Sequence, residues 1–510
     1  MTAYTGRHRN QYLITSSQAM VPVLSAAQAQ SIGQWTVYAF PPLSVHHATR
    51  DGVEAVLLGV MVDPLHPALA PAELLQSTLD LALELDAAGA DMAQSTDSLT
   101  GRFVMAVSKG AALNIWGDAC HLRQIIFGAP SGQRCASSSE PLLLEHLGLK
   151  HQMSKAMDAF ITSPMFWRNE HAWVGDAAQD SRLARLLPNH GLDLASGRVH
   201  RRPVMTDPPA KHLEHVVNSV QACLQGAMAA LTSRYKCIQA VTAGMDSRLL
   251  LAASLPLKHR IEYFIFDRGE PGTRADSEVA ELLSKALDLG LQRIQPQPTS
   301  AEFKARMAEE FLYPRDLPKL ANVAHHVNRQ ERDQVLSING NAAEIGRNYY
   351  GLSRHPLTVN EACCLLGYPP SNAYVNESIT RWRAQCSPAA GAGGIDLGDL
   401  LYWEQRMGNW GAMTPRETDL AIEEVSPFNN RKLLLSILTV PSELRAAPDY
   451  PFFMQLIATM SPGAAKIPIN PHVARFGKML SRYRAFLSLR GRAKIWVVSA
   501  QRRAMPTPPC

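Results

Sequence analysis

The sequence predicts an α/β chain in two parts: a strand-rich stretch over residues 1–203, and a longer one over 204–510 that opens with strands and helices in alternation. Three patterns support this. Short apolar runs parted by turn residues fill the first two hundred positions, the mark of antiparallel β structure. From residue 211, strand-like and helix-period segments take turns, which calls for a parallel sheet with helical crossovers. Beyond about residue 300 the apolar spacing is mainly helical.

In the first part, QYLIT, WTVYAF, AVLLGVMV and GRFVMAVSKGAALNIWGD read as strands, the last as a hairpin turning at Ser108-Lys109-Gly110. PAELLQSTLDLALEL, 71–85, has its apolar residues at helical spacing. PNHGLDLASGRVHRRPV, 188–204, is polar and rich in turn formers, and reads as a loop between the two parts. After a predicted helix over 211–235, KCIQAVTAG reads as a buried strand, DSRLLLAASL as a helix and RIEYFIFDRG as a strand. ADSEVAELLSKALDLG follows as a helix with Asp276 near its start and Gly290 at its end. SPAAGAGGIDLGD, 387–399, reads as a flexible loop.

At 46% hydrophobic and 19% charged residues, the chain can bury cores without disulfides. The net charge of +5 is weak but uneven: no Asp or Glu follows Asp449, whereas lysines and arginines run from Lys466 to Arg503. Such a tail suits phosphate, an acidic partner or an anionic surface, or is simply a solvated helix. No zinc knuckle or aromatic stacking motif accompanies it, so nucleic acid is not an expected partner. The eight cysteines form no CxxC pair, and adjacent Cys363 and Cys364 suit burial. The N-terminus lacks an apolar signal core, and no run reaches the length of a membrane span. A cytoplasmic protein with no transmembrane segment is expected.

The sharpest local signal is VTAGMDSRLLLAA, 241–253. Val241, Thr242, Ala243 and Gly244 make a small-residue turn between strand and helix, where backbone can approach a ligand closely. The helix that follows aims its unpaired amides and positive dipole end at that turn, a setting for phosphate. Asp246 there suits Mg²⁺, and Ser247 can donate to a phosphate oxygen. The same two residues also serve well as helix N-caps.

T-A-G-M-D-S resembles the S-G-G-x-D-S pyrophosphatase loop of the asparagine synthetase superfamily, which includes β-lactam synthetases and lasso-peptide cyclases. The D-S-R ending, with Arg248, looks most like the cyclases. LSINGNAAEIGRNYY, 336–350, resembles the superfamily's G-x-G-x-D-E segment, with Gly340 at its first glycine and Glu344 in the metal-binding place. The alternative for Glu344 is an exposed acid in a first helical turn. YWEQRMGNWGAM and EEVSPFNNRKLLLSILTVP resemble a third block, with Arg406 at the family arginine and Glu423 at the family glutamate. In that block Asn430 replaces an aspartate and Val425 an arginine. AAKIPINP, 464–471, resembles a cyclase-like closing segment. LTGRFVMAV and NIWGDACHLRQIIFG look like strands of a class II glutaminase domain.

The resemblance implies a degenerate, inactive glutaminase-like β-sandwich over 1–203 and, over 204–510, an adenine-nucleotide α-hydrolase-like synthetase domain with a helical C-terminal part. Class II glutaminases use an N-terminal cysteine, whereas this chain begins Met1-Thr2-Ala3 and has its first cysteine at 120. With no ammonia source, the amine is expected on the substrate itself. The resemblance therefore implies a lasso-peptide cyclase with ATP and Mg²⁺. Asp246 and Glu344 would hold the metal, and Val241, Thr242, Ala243, Gly244, Ser247, Phe266 and Gly340 would surround the nucleotide. An Asp or Glu side chain of a ribosomal precursor peptide would be adenylated, then attacked by the peptide's own α-amine, releasing AMP. Lys466 is the nearest replacement for the superfamily's charge-stabilising lysine, or else a surface lysine; Glu377 and Glu423 are candidate proton acceptors. A leader-binding protein and a leader protease are implied partners. A small-molecule amide ligase of the β-lactam synthetase kind is the alternative enzyme. A non-catalytic nucleotide-binding scaffold is the alternative of another class. His325-His326 reads as a surface or capping pair, and Trp403 and Trp410 read as core.

Overall fold

A computed structural model describes residues 7–16, 21–130, 132–204, 213–315, 317, 319–329, 331–351 and 357–471. The N-terminal call at residues 1–3 and the basic stretch beyond residue 471 lie outside the described residues.

Two six-stranded antiparallel sheets occupy the first part. One runs in the order 183–185, 126–128, 135–137, 12–15, 35–39 and 28–32, the other 198–201, 190–193, 112–117, 100–109, 53–62 and 45–50. Period-two alternation decides how they stack. In the strand Val53–Val62, Val56 and Leu58 face Tyr12, Ile14 and Val37 of the other sheet. Ala55, Leu57 and Met61 on the opposite face meet Leu74, Leu75 and Leu79 of the helix Pro71–Ala87. The far sheet covers its outer face with the helix Glu140–His146 through Leu142, Leu143 and Leu144. The result is four layers, helix–sheet–sheet–helix. The predicted hairpin forms, pairing Lys109 with Ala112. The tract read as a loop at 188–204 is instead a second hairpin, His190–Asp193 with Arg198–Arg201. Its polar residues sit at a sheet edge, where Leu192 pairs with Ile115, and polarity alone hid that strand.

The second part is built on a five-stranded parallel sheet in the order Leu291–Ile294, Ile261–Phe266, Lys236–Ala240, Val335–Ile338, Glu423–Val425. Helices cover both faces. Leu213–Arg234, Met245–Ser254 and Pro451–Met460 pack on one, and Phe303 and Met307 of Ala301–Glu310 with Leu320 on the other. The helix expected to start near Asp276 begins at Pro271, and Asp288 rather than Gly290 takes the left-handed cap (φ 53°). The tract read as a flexible loop continues the helix Ala373–Gly393 before Gly394 turns left-handed. Among the described residues the cysteines are free thiols, with Cys363 and Cys364 buried, and no helix is long and apolar enough to cross a membrane.

Buried charge joins the sandwich to the parallel sheet. Arg102 donates both terminal nitrogens to Asp419 at 2.6 Å, with each side chain 2% exposed. Arg123 pairs with Glu423, and Arg431 reaches Asp97 at 2.8 Å. Asn429 donates to Gly101 O and Asp118 and accepts from the Cys120 amide, while Asn430 caps the helix Arg431–Leu438 and donates to Ser98 O.

Glu424, beside this network, has its Oε2 sealed from solvent without a hydrogen-bond partner. Burial, reinforced by Asp419 and opposed by Arg102, pushes its carboxyl up from 4.5 to about 7. The folded state therefore holds this proton more tightly than the unfolded chain. The stabilisation is present below pH 4.5 and is lost as pH rises toward 7. Glu424→Gln is expected to stabilise the protein at pH 8 by about 1–3 kcal/mol, and to do little at pH 4.5. Thermal melts at the two pH values check this; an equal shift at both would refute it.

Candidate functional site

Strand order reverses between Lys236–Ala240 and Val335–Ile338, which lie side by side in the sheet. The carboxyl ends of the strands at such a switch point are the usual ligand position in an open parallel sheet. One loop carries 241–247 and the other 339–347.

The first loop turns at Gly244 and starts the helix Met245–Ser254. Its early amides are already engaged. Thr242 N–H donates to Ser247 Oγ at 2.9 Å, Ala243 N–H to Asp276 Oδ1 at 3.1 Å and Gly244 N–H to Thr242 Oγ1 at 3.3 Å. Ser247 also donates to Ala240 O at 3.3 Å. The Ser247 hydroxyl, expected to face a phosphate, here closes the loop. Among the described residues, the amides of Met245, Asp246 and Ser247 donate to no backbone carbonyl, as first-turn amides do not. Val241 and Ala243 are core side chains, 0% and 2% exposed, so they offer backbone only.

Gly340 brings the second loop against the first. A Cβ there would stand 2.8 Å from Asp246 Cβ, so no other residue allows this approach. Ala342 then adopts a left-handed conformation (φ 73°), and a single turn, Ala343–Arg347, presents Glu344. Asp246 and Glu344 meet on one nitrogen: Arg347 Nη2 donates to Asp246 Oδ2 at 2.9 Å and to Glu344 Oε1 at 2.7 Å. Tyr402 donates its hydroxyl to Glu344 Oε2. Asp246 Oδ1 is sealed from solvent and has no partner. Burial outweighs Arg347, and with the nearby Glu344 carboxylate it pushes the Asp246 carboxyl up to about 7. The two hard-oxygen donors and the orphaned Oδ1 fit a magnesium ion that takes its remaining ligands from phosphate and water. Among the described residues no group of three or more His, Cys, Asp and Glu gathers to make a self-sufficient metal cage.

The other sequence-selected residues fall at different distances from this centre. Arg406 stacks its guanidinium 3.9 Å over Trp410; burial pushes the Tyr402 and Tyr350 hydroxyls beside Glu344 up, and the Arg406 charge only partly opposes this. Trp403 is core, but Trp410 is not. It lies between Arg406 and Lys319 and donates to Glu170, which corrects the reading of both tryptophans as core. Phe266 ends its strand and meets His325 and His326 edge-on. His326 is 5% exposed, so the pair is not simply a surface feature. Lys466 is exposed at the end of the helix Pro462–Lys466. Its segment is fastened to the first loop: Arg248, fully buried, donates to the carbonyls of Ala464, Ile467 and Pro468, and Asn470 N–H donates to Ala243 O. Glu377 is exposed on its helix and shares no hydrogen bond or ion pair with Asp246 or Glu344 among the described residues. Glu423 is held by Arg123, a structural pairing that removes it as a proton acceptor. Sequence reasoning missed Arg347, Tyr402 and Asp276. The first two lie inside stretches already singled out, and their side-chain types were the only signal.

No protein-family model and no curated protein matches the chain. Among solved structures it is similar to a glutamine-dependent NAD+ synthetase from Acinetobacter baumannii in complex with ADP, with 11% identity over 51% of this chain and a TM-score of 0.20. It is also similar to a glutamine phosphoribosylpyrophosphate amidotransferase from B. subtilis complexed with ADP and GMP, with 8% identity, a TM-score of 0.19, and coverage of 67% of this chain and 71% of that one. The chain spans 58% of the length of the synthetase. At these TM-scores neither likeness carries an argument about fold or activity.

Proposed function

We propose that this chain is an ATP-dependent, AMP-forming amide ligase that closes a macrolactam in a ribosomal precursor peptide, as lasso-peptide cyclases do. The observation that carries the reading is the convergence of Asp246 and Glu344, far apart in sequence, on one cation where strand order reverses. The motif order from 241 to 471 supports the choice of family.

ATP is the co-substrate. The amides of Met245 to Ser247 and the helix dipole behind them receive its phosphates. A peptide Asp or Glu carboxylate attacks the α-phosphorus and pyrophosphate departs. The peptide's α-amine then attacks the activated carbonyl carbon, AMP leaves, and the proton shed by the nitrogen passes to solvent. Magnesium held by Asp246 and Glu344 would offset the charge growing on the departing pyrophosphate. Tyr402 fixes the rotamer of Glu344 through its hydroxyl. Tyr349, Tyr350 and Tyr402 pack together as an aromatic wall beside Glu344, limiting water near a reactive acyl phosphate. Holding the peptide folded with amine and carboxyl in contact is mainly an orientation problem. The leader-binding protein and leader protease would supply a peptide with a free α-amine.

ATP–pyrophosphate exchange with leaderless peptides tests the reading. Exchange is expected with peptides bearing an acidic side chain at ring-closing distance, whether or not the α-amine is blocked, whereas ring closure with AMP release is expected only when that amine is free. Exchange confined to small amino acids would make the protein a small-molecule ligase. No turnover of ATP with either class would make it a nucleotide-binding scaffold.

A further inference from the structure

Arg347 has no counterpart among the residues assigned above to phosphate, metal or peptide, yet it holds the centre of the site. A single nitrogen, Nη2, touches both carboxylates, at 2.9 Å from Asp246 and 2.7 Å from Glu344. This is a poor use of a guanidinium, whose strong pairing is the two-nitrogen fork on one carboxylate, as Arg102 achieves on Asp419. The cost shows elsewhere in the side chain: Arg347 Nε is sealed from solvent without a partner, and Asp246 Oδ1 is equally unpaired. The stem leaves little freedom. It rises from the last residue of a single turn, immediately before left-handed Asn348, and the side chain is 12% exposed. The ring of Tyr450 stands 5.8 Å away and can receive the cation if it leaves the acids.

A divalent ion coordinated by Asp246 Oδ2 and Glu344 Oε1 would lie about 2 Å from each. That is the space against which Arg347 Nη2 now stands, and two cations cannot share it. We infer that Arg347 is a resident counter-cation of this site, neutralising Asp246 and Glu344 until a divalent ion displaces it. The inference rests on the reading of those two acids as the metal-holding pair. It adds that the site is occupied by the chain's own charge before metal arrives. Repulsion between the acids is thereby offset in the nucleotide-free protein, and metal alone binds weakly. Nucleotide phosphates, which bring both the metal and a new anionic partner for the released guanidinium, open the site fully.

The test needs no turnover. Binding of Mn²⁺ alone to the full chain is measured by the electron paramagnetic resonance signal of free Mn²⁺. The proteins are wild type, Arg347→Gln, Arg347→Lys and Asp246→Asn, each first shown to melt near the wild-type temperature. Arg347→Gln is expected to bind Mn²⁺ about tenfold more tightly than wild type. Arg347→Lys, which keeps a cation in place, should stay within about threefold, and Asp246→Asn should lose the site. Unchanged or weaker binding in Arg347→Gln, with binding still lost in Asp246→Asn, would overturn the inference and leave the metal reading standing. A gain of equal size in Arg347→Lys would trace the effect to packing and would also overturn it; if Arg347→Gln does not fold, weaker-than-wild-type binding in Arg347→Lys does the same and wild-type-like binding supports it. Binding that survives Asp246→Asn in every background would sink the metal reading, and the counter-cation with it.

Discussion

Asp246→Ala is expected to lower peptide-dependent ATP–pyrophosphate exchange by about 100-fold or more, while the melting temperature holds or rises. Two features separate this residue from a structural acid. Its Oδ1 is buried without a partner, and it shares one nitrogen of Arg347 with Glu344 instead of owning a complete pairing. An acid kept in such a position reduces stability, because burial and the neighbouring carboxylate both work against its charge. Removing it relieves that repulsion and leaves Arg347 to Glu344 alone. Exchange that persisted at the wild-type rate in a folded Asp246→Ala protein would take both metal and phosphate chemistry away from the loop.

Arg102→Ala is expected to destabilise the protein by about 3–5 kcal/mol, read by thermal or denaturant unfolding. The loss comes from stranding Asp419, which is 2% exposed and has Arg102 as its two-point partner. It does not measure the worth of the pair itself. Replacing both partners by apolar residues of similar volume should recover most of the loss, since the desolvation of two charges is then avoided. A single-variant loss below about 1 kcal/mol would show that water reaches Asp419 and that the seam is softer than its burial implies.

The parallel sheet was legible because each strand is a short apolar run between helical periods, from Lys236–Ala240 through Val335–Ile338. The edge hairpin at 190–201 was not, since edge strands carry polar residues that look like loop. The helix through Ser387 to Gly393 was missed for a related reason: glycine and proline suggest a breaker, and the alanines and the preceding turns of the same helix override that propensity. At the site, the loop and Gly340 could be read because backbone approach restricts residue type. Gly340 faces Asp246 at a distance that admits no side chain. Arg347 and Tyr402 could not, because any of several arginines and tyrosines nearby had equal claim until the fold chose between them. Ser247 could be read only in part, for a physical reason too. A hydroxyl near a helix start can serve the ligand or the turn, and here Thr242 N–H and Ala240 O take it.

The guanidinium of Arg248 ends on three neutral carbonyls, those of Ala464, Ile467 and Pro468. Dissolved ions weaken attraction between opposite charges but have little hold on an enclosed dipolar fork. Raising ionic strength should therefore weaken the partly buried Arg347 contacts of the same loop modestly, and the Arg248 contacts less still.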